Sequence, residues 1–217
     1  MDKVGNSINR RILQLALPAL GSLIAEPLLT MADSILIGHL GTFELAGLAI
    51  GSTVLNLIVG MSLFLAYTTT AVTCHAIGAG KSQEGLRKGI QGIWLGAALG
   101  TILALILIVF ASPIVSVFKG QEEVLGFART YLLVSAPGLV AMLSVLAANG
   151  VFRALLDTRT PLVVTTTGAL INVPISTILI FPCGLGIAGA GAGTAISQFI
   201  MTGWLGMVIV KKLHLEG

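Results

Sequence analysis

Residues Ile12–Ile37 read ILQLALPALGSLIAEPLLTMADSILI, and this stretch decides the fold. At about 26 residues, a helix of this length crosses a hydrocarbon layer of ~30 Å with some tilt. Arg10 and Arg11 bound it on one side, and the turn Gly38-His39-Leu40-Gly41 bounds it on the other. An inert anchor would be apolar throughout. This one carries Glu26 near its middle, Asp33 seven residues on, and prolines at Pro18 and Pro27. A carboxylate at mid-bilayer costs roughly 2.5–3.5 kcal/mol on insertion scales, so its presence there points to function. Seven residues is nearly two turns, which puts Glu26 and Asp33 on one face about 10 Å apart along the axis. Pro18 removes a backbone hydrogen bond and kinks the first third of the helix. The stretch predicts a kinked membrane helix that offers protonatable oxygens to an interior cavity.

The composition agrees. Of 217 residues, 55% are hydrophobic and only 10% charged, and the mean hydropathy is +1.00. A soluble domain carries about 25% charged residues. The 27 glycines suit close helix packing in lipid. The formal net charge of +3 says little by itself, and what matters is where the charges lie along the chain; no nucleic-acid partner is expected. No cleavable leader is expected, because the N-terminus runs straight into a helix too long for one.

Outward from the first turn, the chain alternates long uncharged runs with short polar breaks. The breaks are Lys81–Lys88, Lys119–Glu123, Arg153–Arg159 and the turn Pro182-Cys183-Gly184-Leu185-Gly186. Thr160 as N-cap and Pro161 at the first helical position form a strong helix start. The pattern predicts an all-α polytopic membrane protein, one domain of six transmembrane helices at approximately 12–37, 45–77, 89–112, 127–150, 161–181 and 187–210. The fourth is interrupted by Pro137-Gly138. An even number of spans puts both termini on one side. Lys3, Arg10, Arg11, Lys81, Arg87, Lys88, Arg153, Arg159, Lys211 and Lys212 fall on that side, and only Lys119 and Arg129 on the other. That bias makes the shared side cytoplasmic and the setting a plasma (inner) membrane.

Several side chains stand out against the apolar background. Asp33 either caps the nearby turn in solvent or faces the interior and binds a proton or small cation. Glu26 is deeper, and is either a hydrogen-bonded packing residue or part of the same site. Asn172 and Ser176 lie four apart on one face of the fifth helix, as interhelical glue or as ligands. Tyr131 is either an interfacial tyrosine or a hydroxyl donor to the cavity. Thr194, read alone, is a packing residue. Cys74 and Cys183 fall at opposite ends of the spans and cannot pair. No phosphate-cradling glycine loop, nucleophile triad or metal-ligand cluster occurs in the sequence, so no enzyme activity, metal or cofactor is expected.

Ala16-Leu17-Pro18-Ala19, Ala32-Asp33-Ser34-Ile35 and Gly38-His39-Leu40-Gly41 together resemble the first helix and turn of MATE (multidrug and toxic compound extrusion) transporters. Arg153-Ala154-Leu155-Leu156-Asp157-Thr158-Arg159-Thr160-Pro161 resembles that family's cytoplasmic loop before helix five. Asn172 and Gly184-Leu185-Gly186-Ile187-Ala188-Gly189 resemble its fifth helix and the turn after it. Ala25-Glu26-Pro27 and Gly38-His39 look most like the DinF-like branch. The resemblance implies a secondary antiporter that exchanges cationic, amphipathic, drug-like compounds for protons or sodium. It implies that the cation site is Asp33, Tyr131, Asn172 and Thr194, and that the helix bends at Pro18 when Asp33 takes a proton. Ser176 stands where many prokaryotic members have an aspartate. That favours proton coupling, or a site completed by Glu26.

Family members have twelve helices in two lobes, and the six expected here correspond to the N-terminal lobe. The expected partners are therefore the small-molecule substrate, the bilayer, and a C-terminal six-helix lobe or a second copy of the chain. Two other functions fit the class: a flippase for a lipid-linked substrate, and a non-transporting membrane fragment or scaffold. A flippase cavity calls for Lys or Arg at mid-bilayer depth, and the sequence places none there.

Overall fold

The computed structural model describes residues 20, 24, 27 and 31–215. Glu26 and Pro18 lie outside the described residues, as does most of the opening stretch. Every regular element among the described residues is helical. Residues 31–38 close the first helix, α1. Then follow α2 (Thr42–Met61), α3 (Phe64–Gly78), α4 (Ser82–Ser116), α5 (Glu122–Ser135), α6 (Gly138–Ala154), α7 (Arg159–Ile180) and α8 (Ile187–Leu215).

Two expected spans are each built from two helices. α2 and α3 run on as one apolar span, Thr42–Gly78. At their junction the Ser62 hydroxyl donates to the Ile58 carbonyl at 2.8 Å. The next amides close shorter turns, Leu63 to Gly60 and Leu65 to Ser62. The Ile58 carbonyl thus accepts from both the Ser62 hydroxyl and the Ser62 amide at 3.2 Å, and the ladder tightens locally to three-residue turns. α5 and α6 are bent by 59°. Pro137 has no amide to continue the ladder, and the chain restarts with Leu139 bonding to Ala136. The bent pair is a fifth segment long and apolar enough to cross a membrane, beside Thr42–Gly78, Ser82–Ser116, Arg159–Ile180 and Ile187–His214.

Some polar stretches expected as loops are helical instead. α4 begins at Ser82, because Glu84 pairs with Lys88 at 2.7 Å and with Lys81 at 3.5 Å and supports the first turn. α5 begins at Glu122, where two carboxylates lie at the favourable end of the helix dipole. α8 runs on through Lys211 and Lys212.

α6 is the central element and packs on α3, α4 and α8. Its approach to α4 depends on glycine. A Cβ on Gly96 or Gly100 would sit 2.7 Å from the backbone oxygen of Leu143 or Leu139. The buried residues form two clusters. One gathers Ile37, Leu48, Leu55, Tyr131, Leu139 and Ile180. The other gathers Leu86, Val151, Phe152, Val164, Leu205 and Ile209. Large side chains elsewhere, such as Trp94 and Val109 on α4, Leu170 on α7 and Met207 on α8, are exposed. In water such a surface would be a liability, and in a bilayer it faces lipid.

Candidate functional site

Asp33, Tyr131, Asn172, Ser176 and Thr194 are all buried, although they come from four different helices. Asp33 on α1 is 5% exposed. The Thr194 hydroxyl donates to its Oδ2 at 3.3 Å, across 161 positions of sequence. An interhelical bond of this kind is worth of order 1 kcal/mol in a membrane, well short of what a carboxylate loses on leaving water. The other carboxylate oxygen, Oδ1, is buried and has no hydrogen-bond partner among the described residues.

α8 joins this carboxylate to α7. Gly193 precedes Thr194, and a Cβ added there would run into Ser176 Oγ. Only glycine lets the two backbones approach so closely at that level. The Ser176 hydroxyl points to Asn172 Oδ1 at 3.5 Å, the long limit of a hydrogen bond. Asn172 Nδ2 is buried with no partner. α8 reaches α5 in the same stretch, since a Cβ on Gly191 would sit 2.7 Å from Ser135 Oγ and 3.2 Å from the Tyr131 carbonyl. The Tyr131 phenol lies against the Ser135 and Thr194 side chains and within electrostatic reach of Asp33. At Ser135 the geometry falls short of a hydrogen bond, and its Oγ is unpartnered.

Among the described residues, the result is one carboxylate surrounded by neutral oxygens and an amide in an apolar helix cluster. Such a group can take up and release a single monovalent cation, because one negative charge balances one positive charge. Ser135 is absent from the residues singled out by sequence. The signal for it was its position four residues after Tyr131, on the same helix face, just before the Pro137 break.

The second constellation joins the α6–α7 connection to the end of α8. Asp157 Oδ1 accepts from the Thr160 amide at 3.0 Å, and Oδ2 from the Thr160 hydroxyl at 2.8 Å. Asp157, rather than Thr160, therefore caps α7, because its carboxylate reaches the free amide three residues on. Lys212 Nζ pairs with the same Oδ2 at 2.9 Å. Partial burial pushes the Asp157 carboxyl up, but the Thr160 and Lys212 contacts outweigh it and hold the group below its ordinary range. Arg153 ends α6 and lies 6.0 Å from the centre of the Tyr67 ring. Arg159 and Pro161 stand in the first turn of α7. Cys74 and Cys183 are both free thiols.

Residues 18–178 match the family model described as MatE. The DNA damage-inducible protein F of Escherichia coli K12 is 30% identical over 211 residues, covering 95% of this chain and 45% of that protein. The Thermotoga maritima protein named "Probable multidrug resistance protein NorM" is 27% identical over 210 residues, covering 94% of this chain and 45% of its own length. Among solved structures, the Vibrio cholerae MATE transporter VcmN in its bent form superposes with a TM-score of 0.88 at 25% identity. That match covers 96% of this chain and 48% of VcmN. The chain spans about half the length of the curated relatives it matches.

Proposed function

The chain belongs to the MatE family, and on that premise we propose that it is the cation-binding N-terminal lobe of a secondary antiporter. Its substrates are cationic, amphipathic compounds, expelled in exchange for a cation. The observation that carries this is the Asp33 carboxylate, buried among apolar helices with one oxygen bonded to Thr194 and the other unpartnered. An ion drives transport only if it binds one access state better than the other and if that preference is linked to substrate binding. A buried carboxylate is such a group, since its charge is costly in one setting and compensated in another.

The coupling ion in this reading is the proton. Position 176, on the α7 face toward the site, is a serine and supplies no second charge. The setting is an inner membrane with both termini in the cytoplasm, supported by the distribution of Lys and Arg along the chain. The second wall of the transport cavity comes from a C-terminal six-helix lobe related by an axis along the membrane normal.

The test is Asp33→Asn in a transporter that contains this chain and its second lobe. Gradient-driven efflux of a fluorescent cationic dye should be abolished while membrane abundance stays unchanged. Wild-type efflux by that variant would return Asp33 to a purely structural role. Ser176→Ala should be milder, because it removes a hydroxyl and no charge.

A further inference from the structure

Hydroxyls buried in apolar helices have a default partner, the carbonyl four residues back. Several hydroxyls of the described spans follow this. Ser62, Thr70, Ser144, Thr177 and Ser197 each donate to the i−4 carbonyl at 2.7–2.9 Å. Ser135 departs from it, as does Thr73 on α3, whose Oγ1 is buried and also unpartnered among the described residues. Ser135 is 1% exposed and its Oγ has no partner among the described residues. The i−4 carbonyl, that of Tyr131, stands beside the same Gly191 surface, yet the hydroxyl does not bond to it.

The orientation of Ser135 explains where the hydroxyl is directed. Its Oγ faces α8 at Gly191, three residues before the Thr194 that holds Asp33. It lies against the Tyr131 side chain, on the α5 face that looks toward Asp33. Ser135 is also the last residue of α5. Because Pro137 has no amide, the carbonyl of Leu133 loses its usual helical donor, and the negative end of the helix dipole falls at this point. Broken helices whose C-terminal ends point into a membrane protein are suited to holding cations.

We propose that Ser135, together with the broken C-terminal end of α5, is a further oxygen ligand of the monovalent-cation site that holds Asp33. This rests on the cation-site reading above and adds a residue to it. Ser135 contributes no charge. It adds an oxygen from α5 to those of Asn172 and Ser176 on α7 and Thr194 on α8, with Asp33 as the only negative partner among the described residues. A proton relayed through water and a bare sodium ion would use the same oxygens.

The experiment is dye efflux by proteoliposomes of a transporter containing this chain and its second lobe. Efflux is driven in one arm by an imposed proton gradient without sodium, and in the other by a sodium gradient at constant pH. The variants are Ser135→Ala, Ser135→Cys, Ser144→Ala and Asp33→Asn, each normalised to its abundance in the membrane. Ser135→Ala should raise the concentration of the driving cation needed for half-maximal efflux by ~10-fold, the scale seen when a supporting group around a bound ion is removed. The apparent affinity for the dye should be unchanged. Ser135→Cys preserves packing but replaces a hard oxygen with a soft sulfur, and it should show the same shift. Ser144→Ala removes an equally buried hydroxyl that is already bonded to Val140, and should show none. Wild-type cation dependence in Ser135→Ala, or in Ser135→Cys, would overturn the assignment of Ser135, while an inactive Asp33→Asn would leave the cation-site reading standing. Full efflux by Asp33→Asn would overturn both.

Discussion

At Asp157, one carboxylate caps α7 and ties it to the end of α8, through Thr160 and Lys212. Its carboxyl is held below the ordinary aspartate range. A depressed carboxylate contributes stability that is fully present above its unfolded value and is lost as pH falls through its folded value. The cap contribution of Asp157 should therefore be constant at neutral pH and disappear only in acid, below the ordinary carboxylate range. Asp157→Ala should cost about 1 kcal/mol at pH 7, the usual range for a lost helix cap. It should also flatten the acid side of a thermal-melting series in detergent. The sequence marked Asp157 by its motif but did not reveal Lys212 as its partner, because 55 residues separate them and the end of α8 was expected at residue 210. The site residues were legible to different degrees for similar reasons. Asn172 and Ser176 show themselves by their four-residue spacing. Thr194 was a packing residue until the family resemblance gave it a role, since its partner Asp33 lies on another helix. Ser135 was missed, because a serine in an apolar helix reads as one more back-bonded hydroxyl.

Elements follow a similar pattern: apolar runs were legible, and their breaks only where proline marked them. Pro137-Gly138 announces the bend between α5 and α6. The junction of α2 and α3 has no proline, and is marked only by the tightened turns at Ser62. The Lys81–Lys88 stretch read as a loop from its polarity, but its charges are spaced to pair along a helix. Helix contact also depends on glycines whose roles emerge only in three dimensions. Gly193→Ala would push a methyl into Ser176, and overpacking of this kind costs roughly 1–3 kcal/mol. It should lower the melting temperature in detergent and impair efflux, whereas Gly203→Ala, which meets nothing within 4 Å, should leave both unchanged. The orientation of the elements can be checked by single cysteines at Gln83 and Gly120 in a background lacking Cys74 and Cys183. An impermeant thiol reagent added to intact cells should label position 120 and leave position 83 unlabelled. The reverse pattern would overturn the charge argument for cytoplasmic termini.

For the whole molecule, the question is what the helix cluster around Asp33 moves against. The chain spans about half of VcmN and of the curated relatives. Alternating access in transporters built from repeats comes from one repeat rocking against another around a central site. A single repeat has no second repeat to rock against, although Asp33 is itself only 5% exposed within the chain. The chain alone should therefore bind to membranes but not transport. The most direct test is reconstitution in liposomes under an imposed proton gradient, with three preparations compared for movement of a fluorescent cationic dye. These are the 217-residue chain alone, the chain with a C-terminal lobe, and that pair carrying Asp33→Asn. The account predicts dye movement in the second preparation and none in the first or third. Gradient-driven movement by the chain alone, or undiminished movement in the pair carrying Asp33→Asn, would contradict it.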